Sequence, residues 1–302
     1  MNWHELLQQI STGNVKTLAR VISLVENEYN GYEKLLQLLP GIYTAKTIGI
    51  TGPPGAGKST LVDSLIGLLV NEGKRIAVLC VDPSSPFKKG ALLGDRIRMS
   101  QWYNHPAVYI RSLATRGSLG GLHPKIIEIN DIVKAAGFDY VIIETVGVGQ
   151  SEIEIAGLAD ATVVVLVPEA GDEIQAMKSG LMEIADLFVI NKSDRPGADV
   201  FARNLRLMMA PDLHATSAET VIIKTSASRQ EGMIDLWQAI DKQLKISTDP
   251  DKKSRLLAEK AYYIIQQERM KDVDKNDLKA RIEQLMKNNS FNLYQVVASL
   301  KQ

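Results

Sequence analysis

Short runs of apolar and β-branched residues recur through the middle of the chain, separated by longer stretches in which apolar positions return every three or four residues. Runs of this kind bounded by turn residues predict buried strands at 46–51, 75–81, 107–111, 139–144, 162–167, 187–191 and 221–225. The stretches between them carry helical spacing, as in Leu61, Leu65, Leu68 and Leu69 after the first run. Strands alternating with helices predict an α/β fold: a mostly parallel sheet covered by helices on both faces. Ligands in such sheets bind at the carboxyl ends of the strands.

The two flanks read differently. The first forty residues are helical in pattern, with Leu18, Val21, Ile22 and Val25 on one stripe and Leu35, Leu36, Leu38 and Leu39 on a second before Pro40 and Gly41. After Ile240 the strand signals stop, and 247–253 reads as a linker. Two amphipathic helices follow, marked by Leu257, Ala261, Ile264 and Ile265 and then by Leu278, Ile282 and Leu285. They are too few to bury a core alone, so they pack on the central domain or on a second copy of the chain, and the second is favoured. The expected division is an N-terminal helical extension at 1–42, a central domain at 43–246 and a C-terminal helical arm at 247–302.

Composition narrows the partners. Across 302 residues, 35 basic and 35 acidic side chains balance, which offers no global field to attract nucleic acid or an anionic membrane. No apolar run approaches the length that spans a bilayer. The first residues lack a basic and then apolar leader, and Cys80 is the single cysteine. A cytoplasmic protein without an internal disulfide is expected. Cys80 lies within a strand run and reads as core. The four histidines, His4, His105, His123 and His214, show no metal-ligand spacing, so neither zinc nor nickel is expected.

The chemistry concentrates at strand ends. After the first strand stand Gly52, Pro53, Pro54, Gly55, Ala56, Gly57, Lys58, Ser59 and Thr60, which satisfy G-x-x-x-x-G-K-[ST] between a strand and a helix. Such a loop turns successive backbone N–H groups toward phosphate oxygens, aims Lys58 at the β- and γ-phosphates and offers the Ser59 hydroxyl to Mg²⁺. After the sixth strand stand Asn191, Lys192, Ser193 and Asp194. A carboxylate there accepts from both N1 and N2 of guanine, donors that adenine lacks. The pair predicts a GTP/GDP site. Ser226, Ala227 and Ser228, after the last strand, offer backbone N–H groups to the guanine O6.

Several acids complete the picture. Asp82 ends a strand and reads as a holder of Mg²⁺ or orienter of the attacking water, or as an ordinary Asp-Pro turn. Asp95 follows a Gly- and Lys-containing loop and reads either as a further metal contact or as a solvated helix cap. Glu144 ends a strand three residues before Gly147, the layout of a loop that senses the γ-phosphate through a glycine N–H while the acid approaches Mg²⁺ through water. Lys58, Asp82, Glu144 and Gly147 are thus the catalytic candidates, and Ser59, Asp82, Asp95 and Glu144 the metal candidates. GTPases usually carry Asp where Glu144 stands, and many place a water-orienting Gln where this chain has Val148. Slow unassisted hydrolysis follows unless Gln150 or a partner completes the site. Arg111, Arg116 and the glycine-rich 117–121 read as a flexible basic loop, either a connector or a partner surface.

Taken in order, Gly52–Thr60, 81–87, 93–99, 116–122, 144–152 and Asn191–Asp194 resemble the MeaB/ArgK-type GTPases, chaperones of methylmalonyl-CoA mutase and related cobalamin-dependent acyl-CoA mutases. The similarity is dense over roughly residues 15 to 245. It implies the SIMIBI branch of P-loop GTPases, with a helical extension and a C-terminal dimerisation arm. It implies that Asp82, Asp95 and Glu144 surround the metal and that 168–178 relays nucleotide state to the mutase. It further implies a homodimer whose GTPase cycle gates cobalamin delivery and protects the mutase, with an adenosyltransferase as a further partner. Lys88, Lys89 and Glu169 depart from the family pattern, Glu169 standing where glycine is usual. A metal-inserting GTPase would show Cys/His clusters, and a phosphotransferase a polar acceptor pocket; neither is apparent in the sequence.

Overall fold

A computed structural model describes residues 1–82, 99–115, 122–145, 151–169, 184–209, 221–246, 250–270, 272–288 and 290–299, with backbone alone at 151–154, 250–253, 256, 275 and 276. The expected strands are all present: β1 (Lys46–Thr51), β2 (Ile76–Asp82), β3 (Val108–Ala114), β4 (Tyr140–Glu144), β5 (Ala161–Leu166), β6 (Leu187–Ile190) and β7 (Val221–Lys224). They form one sheet in the order β3-β2-β4-β1-β5-β6-β7, and every strand pair is parallel.

The helices are α1 (Trp3–Ser11), α2 (Val15–Glu26), α3 (Tyr32–Gln37), α4 (Lys58–Asn71), α5 (Ile126–Lys134), α6 (Ser151–Leu158), α7 (Ala198–Met209), α8 (Met233–Ile246), α9 (Pro250–Arg269), α10 (Lys275–Lys287) and α11 (Leu293–Ser299). Asn2 and Asn14 start the first two, their side chains accepting from Glu5 N and Thr17 N and so satisfying donors that the first turn leaves open.

The continuous apolar runs follow from burial on two faces. Along β5, Val163 and Val165 face a core shared with Leu61 and Leu65 of α4 and Leu236 and Ile240 of α8. Val164 and Leu166 face the other way, onto Phe201, Ala202 and Leu205 of α7. Truncating a side chain such as Leu65, which is 1 % exposed, to alanine costs about 2–5 kcal/mol. The whole carboxyl edge, with β1, β2, β4, β6 and β7 ending in loops that carry candidate residues, rests on this core.

Three expectations need correction. β3 runs to Ala114, so Arg111 lies inside a strand rather than in a flexible basic loop. The helix at the second stripe ends at Gln37, and Leu38 is 38 % exposed, because 38–40 turn toward Pro40 instead of continuing the apolar face. The expected linker is helical from Pro250, since proline suits the first turn, where its missing N–H is no loss.

By contact, the chain divides into Met1–Lys253 and Ser254–Gln302, and the N-terminal helices belong to the first unit. In the second, α10, α11 and most of α9 expose Leu257, Tyr262, Ile265, Met286 and Tyr294. Among the described residues, no helix is long and apolar enough to cross a membrane.

Candidate nucleotide site

The loop after β1 is shaped by two glycines that no other residue could replace. Gly52 has φ of 137°, and a Cβ there would lie 2.1 Å from the Val165 carbonyl oxygen on neighbouring β5. Gly57 has φ of 86°, and its Cβ would lie 2.4 Å from Asn191 Nδ2. The chain then enters α4 at Lys58, so the loop amides and the helix N-terminus share one concave face, an anion-binding arrangement. Lys58 is buried, and its Nζ donates to the carbonyls of Gly52 at 2.8 Å and Pro53 at 3.1 Å. The ammonium is therefore held at the loop before any phosphate arrives.

Asn191 is the joint of the site. Its Nδ2 donates to the Ala56 carbonyl at 2.9 Å, while its Oδ1 accepts from Thr225 Oγ1 and from Ala227 N, both at 3.2 Å. One buried amide thus ties the loop after β1 to those after β6 and β7. Lys192, in a left-handed conformation at φ 55°, reaches back to the Gly55 carbonyl at 2.7 Å. Ser64 on α4 completes the lattice by donating to the Ala227 carbonyl at 2.9 Å.

Asp194 stands beside this joint. Ser226 Oγ donates to its Oδ1 at 2.9 Å, and Arg229 pairs with its Oδ2 at 3.2 Å. The Ser226 hydrogen bond and, secondarily, the Arg229 and Arg195 charges hold its carboxyl below the usual range, so it stays an acceptor. Ser226 and Ala227 are buried, and Ser228 follows in the short turn Ala227–Arg229. Sequence reading missed Arg229, whose only signal is its place three residues after Ser226.

The other side gathers the acids. Ser59 Oγ donates to Glu144 Oε1 at 2.7 Å, joining the head of α4 to the end of β4. Thr51 and Thr145 share a 2.8 Å hydrogen bond just behind them. Asp82 is buried at the end of β2, whose ladder sets Cys80 opposite Glu144. Hydroxyl and carboxylate oxygens are the hard donors that Mg²⁺ takes, so Ser59, Asp82 and Glu144 fit that ion in kind. Among the described residues no three His, Cys, Asp or Glu form a metal-ligating group. Asp95, Gly147, Val148, Gln150, Arg116, Lys88 and Lys89 lie outside the described residues, as does 170–178 of the expected relay. Glu169 forms an ion pair with Arg195, which holds its carboxyl below the ordinary range.

The comparisons with known proteins agree with this geometry. The model of the family described as methylmalonyl-CoA mutase-associated GTPase MeaB matches residues 18–282. A putative GTPase of Pyrococcus horikoshii is 44 % identical over 270 residues, covering 87 % of this chain and 83 % of the relative. The GTPase ArgK of Escherichia coli is 39 % identical over 246 residues, covering 78 % and 74 % respectively. Among solved structures, that of an LAO/AO transport system kinase aligns with a TM-score of 0.68 at 26 % identity, covering 99 % of this chain and 96 % of the other. The loop 52–57, the loops after β6 and β7 and the acids at the ends of β2 and β4 thus lie at one edge of the sheet, and the chain belongs to the MeaB family of mutase-associated P-loop GTPases, enzymes that hydrolyse GTP.

Proposed function

We propose that this chain is a Mg²⁺-dependent GTPase that serves as chaperone and timer for a cobalamin-dependent acyl-CoA mutase, with methylmalonyl-CoA mutase the first candidate. The observation that supports the reading is the Asn191 joint, which links the loop after β1 to the loop after β7, where Ser226 holds Asp194. The family's description supplies the mutase.

In this reading the amides of 52–60 and the Lys58 ammonium grip the β- and γ-phosphates, Lys58 exchanging the Gly52 and Pro53 carbonyls for phosphate oxygens. Asp194 accepts from guanine N1 and N2, with Ser226, Ala227 and Ser228 lining the O6 edge. Lys192 stays over the loop through Gly55. Ser59, Asp82 and Glu144, joined by Asp95, would hold the metal. Mg²⁺ there would neutralise charge developing on the bridging and γ oxygens. A water attacks the γ-phosphorus in line, the bond to the β–γ bridging oxygen breaks, and GDP and phosphate leave. Val148 leaves the water without the usual glutamine, so the chain alone turns over slowly, well below about 1 s⁻¹, and the mutase speeds it.

The GTP- and GDP-bound forms then gate cobalamin delivery and protect the mutase, with an adenosyltransferase as supplier of the cofactor. The exposed apolar residues of the C-terminal unit, Leu257, Tyr262 and Ile265 among them, support pairing of two copies into a cytoplasmic homodimer.

Co-purification with an acyl-CoA mutase, comparing GDP with a non-hydrolysable GTP analogue, tests the proposal. Nucleotide-dependent capture and faster phosphate release in the complex are expected. Nucleotide-insensitive capture contradicts the timer. Label moving from γ-labelled GTP onto the partner makes the chain a phosphotransferase instead.

A further inference from the structure

The ladder of β2 is asymmetric at the end that matters. Its pairing with β4 stops at Cys80 opposite Glu144. Val81 and Asp82 pair with β3 alone, opposite Leu113 and Ala114, and Thr115 N donates to the Asp82 carbonyl at 3.0 Å. The backbone that aims the Asp82 carboxylate is therefore fixed laterally by β3. Yet among the described residues β3 is the edge strand, with no ladder on the side away from β2. Its lateral support there has to come from side chains.

That support is Arg111. Three residues before Ala114, its guanidinium donates to Ser23 Oγ at 3.0 Å and forms an ion pair with Glu26, both on α2 of the N-terminal extension. The side chains of Arg111 and Glu26 are 24 % and 10 % exposed, so the pair is largely shielded and the loss of one partner strands a charge. A second set of contacts returns to the same helices after residues 116–121. His123 Nε2 lies 3.9 Å from Glu26 Oε1, and Lys125 Nζ donates to Tyr32 OH at 2.9 Å and pairs with Glu28 at 3.2 Å. The extension thus adds side-chain contacts to the edge strand beside its ladder with β2.

We infer that Glu26 and Arg111 are positioning residues for the GTPase reaction, acting through β3 on the placement of Asp82. The inference rests on the reading of Asp82 as part of the metal site. One guanidinium nitrogen, Nη2, donates to both Ser23 Oγ and Glu26 Oε2, and the planar, delocalised head sets that nitrogen in place more firmly than the flexible stem of a lysine sets its ammonium. Loosening this contact frees the end of β3, weakens the Thr115–Asp82 hydrogen bond and lets the carboxylate wander from the metal.

The test uses the full chain loaded with GDP, as wild type, Arg111→Lys, Glu26→Gln and Asp82→Asn, each checked for a cooperative melt. Two readouts are taken: calorimetric Mg²⁺ affinity and hydrogen exchange at the Thr115 amide. Arg111→Lys and Glu26→Gln are expected to weaken Mg²⁺ binding roughly tenfold, the scale of an outer-sphere partner. Thr115 exchange should rise in parallel, while GDP affinity in chelator stays at the wild-type value. Faster exchange with unchanged Mg²⁺ affinity makes the pair merely structural and overturns the inference, as does no change in either readout. Asp82→Asn with wild-type Mg²⁺ affinity sinks the assignment of Asp82 itself. Should Arg111→Lys fail to fold, Glu26→Gln decides alone.

Discussion

Around β1, β6 and β7, one amide side chain and a handful of backbone groups hold the glycine-rich loop after β1 against the loops after β6 and β7. Around β2, β3 and β4, pairs that each include a carboxylate do the corresponding work. Asn191 contacts Ala56, Thr225 and Ala227 within a single buried lattice. On the other side, Ser59 meets Glu144 across 85 residues of sequence and Arg111 meets Glu26 across another 85. The Asn191 contacts are neutral hydrogen bonds, little affected by salt, whereas the Arg111–Glu26 ion pair is screened by it to the extent that it meets solvent.

The strongest break of this contrast is at Lys58. Replacement by alanine removes the buried cation held by the Gly52 and Pro53 carbonyls, and kcat/KM for GTP is expected to fall roughly 10²–10³-fold, as on loss of a preorganised charge-stabilising donor. Steady-state phosphate release at saturating Mg²⁺ measures it. A fall of less than tenfold would mean that Lys58 caps its own loop and does little for the substrate.

Asn191→Ala comes next. It strands the Ala227 N–H and the Ala56 carbonyl in a buried region and should cost about 2–4 kcal/mol of stability. Calorimetric melting would register this as a lower Tm, and the stabilisation that GDP normally adds should shrink with it. An unchanged response to GDP would show that the loops find their places without the joint.

How much of this was legible in the sequence follows from the same contrast. The phosphate loop and Asn191–Asp194 are contiguous strings whose meaning is local: glycines where φ is positive, an ammonium and a hydroxyl at a helix head, a carboxylate after a strand. The inner strands, such as β2 and β5, are legible because burial on both faces writes an uninterrupted apolar run, whereas β7, exposed at both ends, is legible only from its β-branched Val221, Ile222 and Ile223. Arg111 was misread because a basic residue near a glycine-rich stretch resembles a loop, and nothing local signals a Glu26 three helical turns into another element. The early helical start at Pro250 was missed for a related reason, since Asp-Pro-Asp is polar enough to pass for a linker while proline also opens helices. Ser226 carried no meaning of its own until Asp194 gave it a partner.

The smallest predicted effect concerns that partner. The Ser226 hydroxyl is the main cause holding the Asp194 carboxyl below the usual range. A depressed carboxyl contributes above its ordinary pKa and loses that contribution as pH falls through the depressed value. Ser226→Ala should therefore move the acid limb of GDP binding upward, toward the ordinary carboxylate range, with little change at neutral pH. A pH series of GDP affinities measures the shift, and an unmoved limb would assign the control to Arg229.

The central claim is that a preformed phosphate grip and one ionised carboxylate read a guanine nucleotide in a single site. Calorimetric titration of wild type and Asp194→Asn with GDP and XDP, in Mg²⁺ buffer, tests it most directly. Wild type should prefer GDP, and the variant should lose about 1.5–3 kcal/mol toward GDP, the worth of hydrogen bonds to a charged group, while gaining for XDP. Equal GDP affinity in wild type and variant, with XDP still rejected by both, would contradict the account.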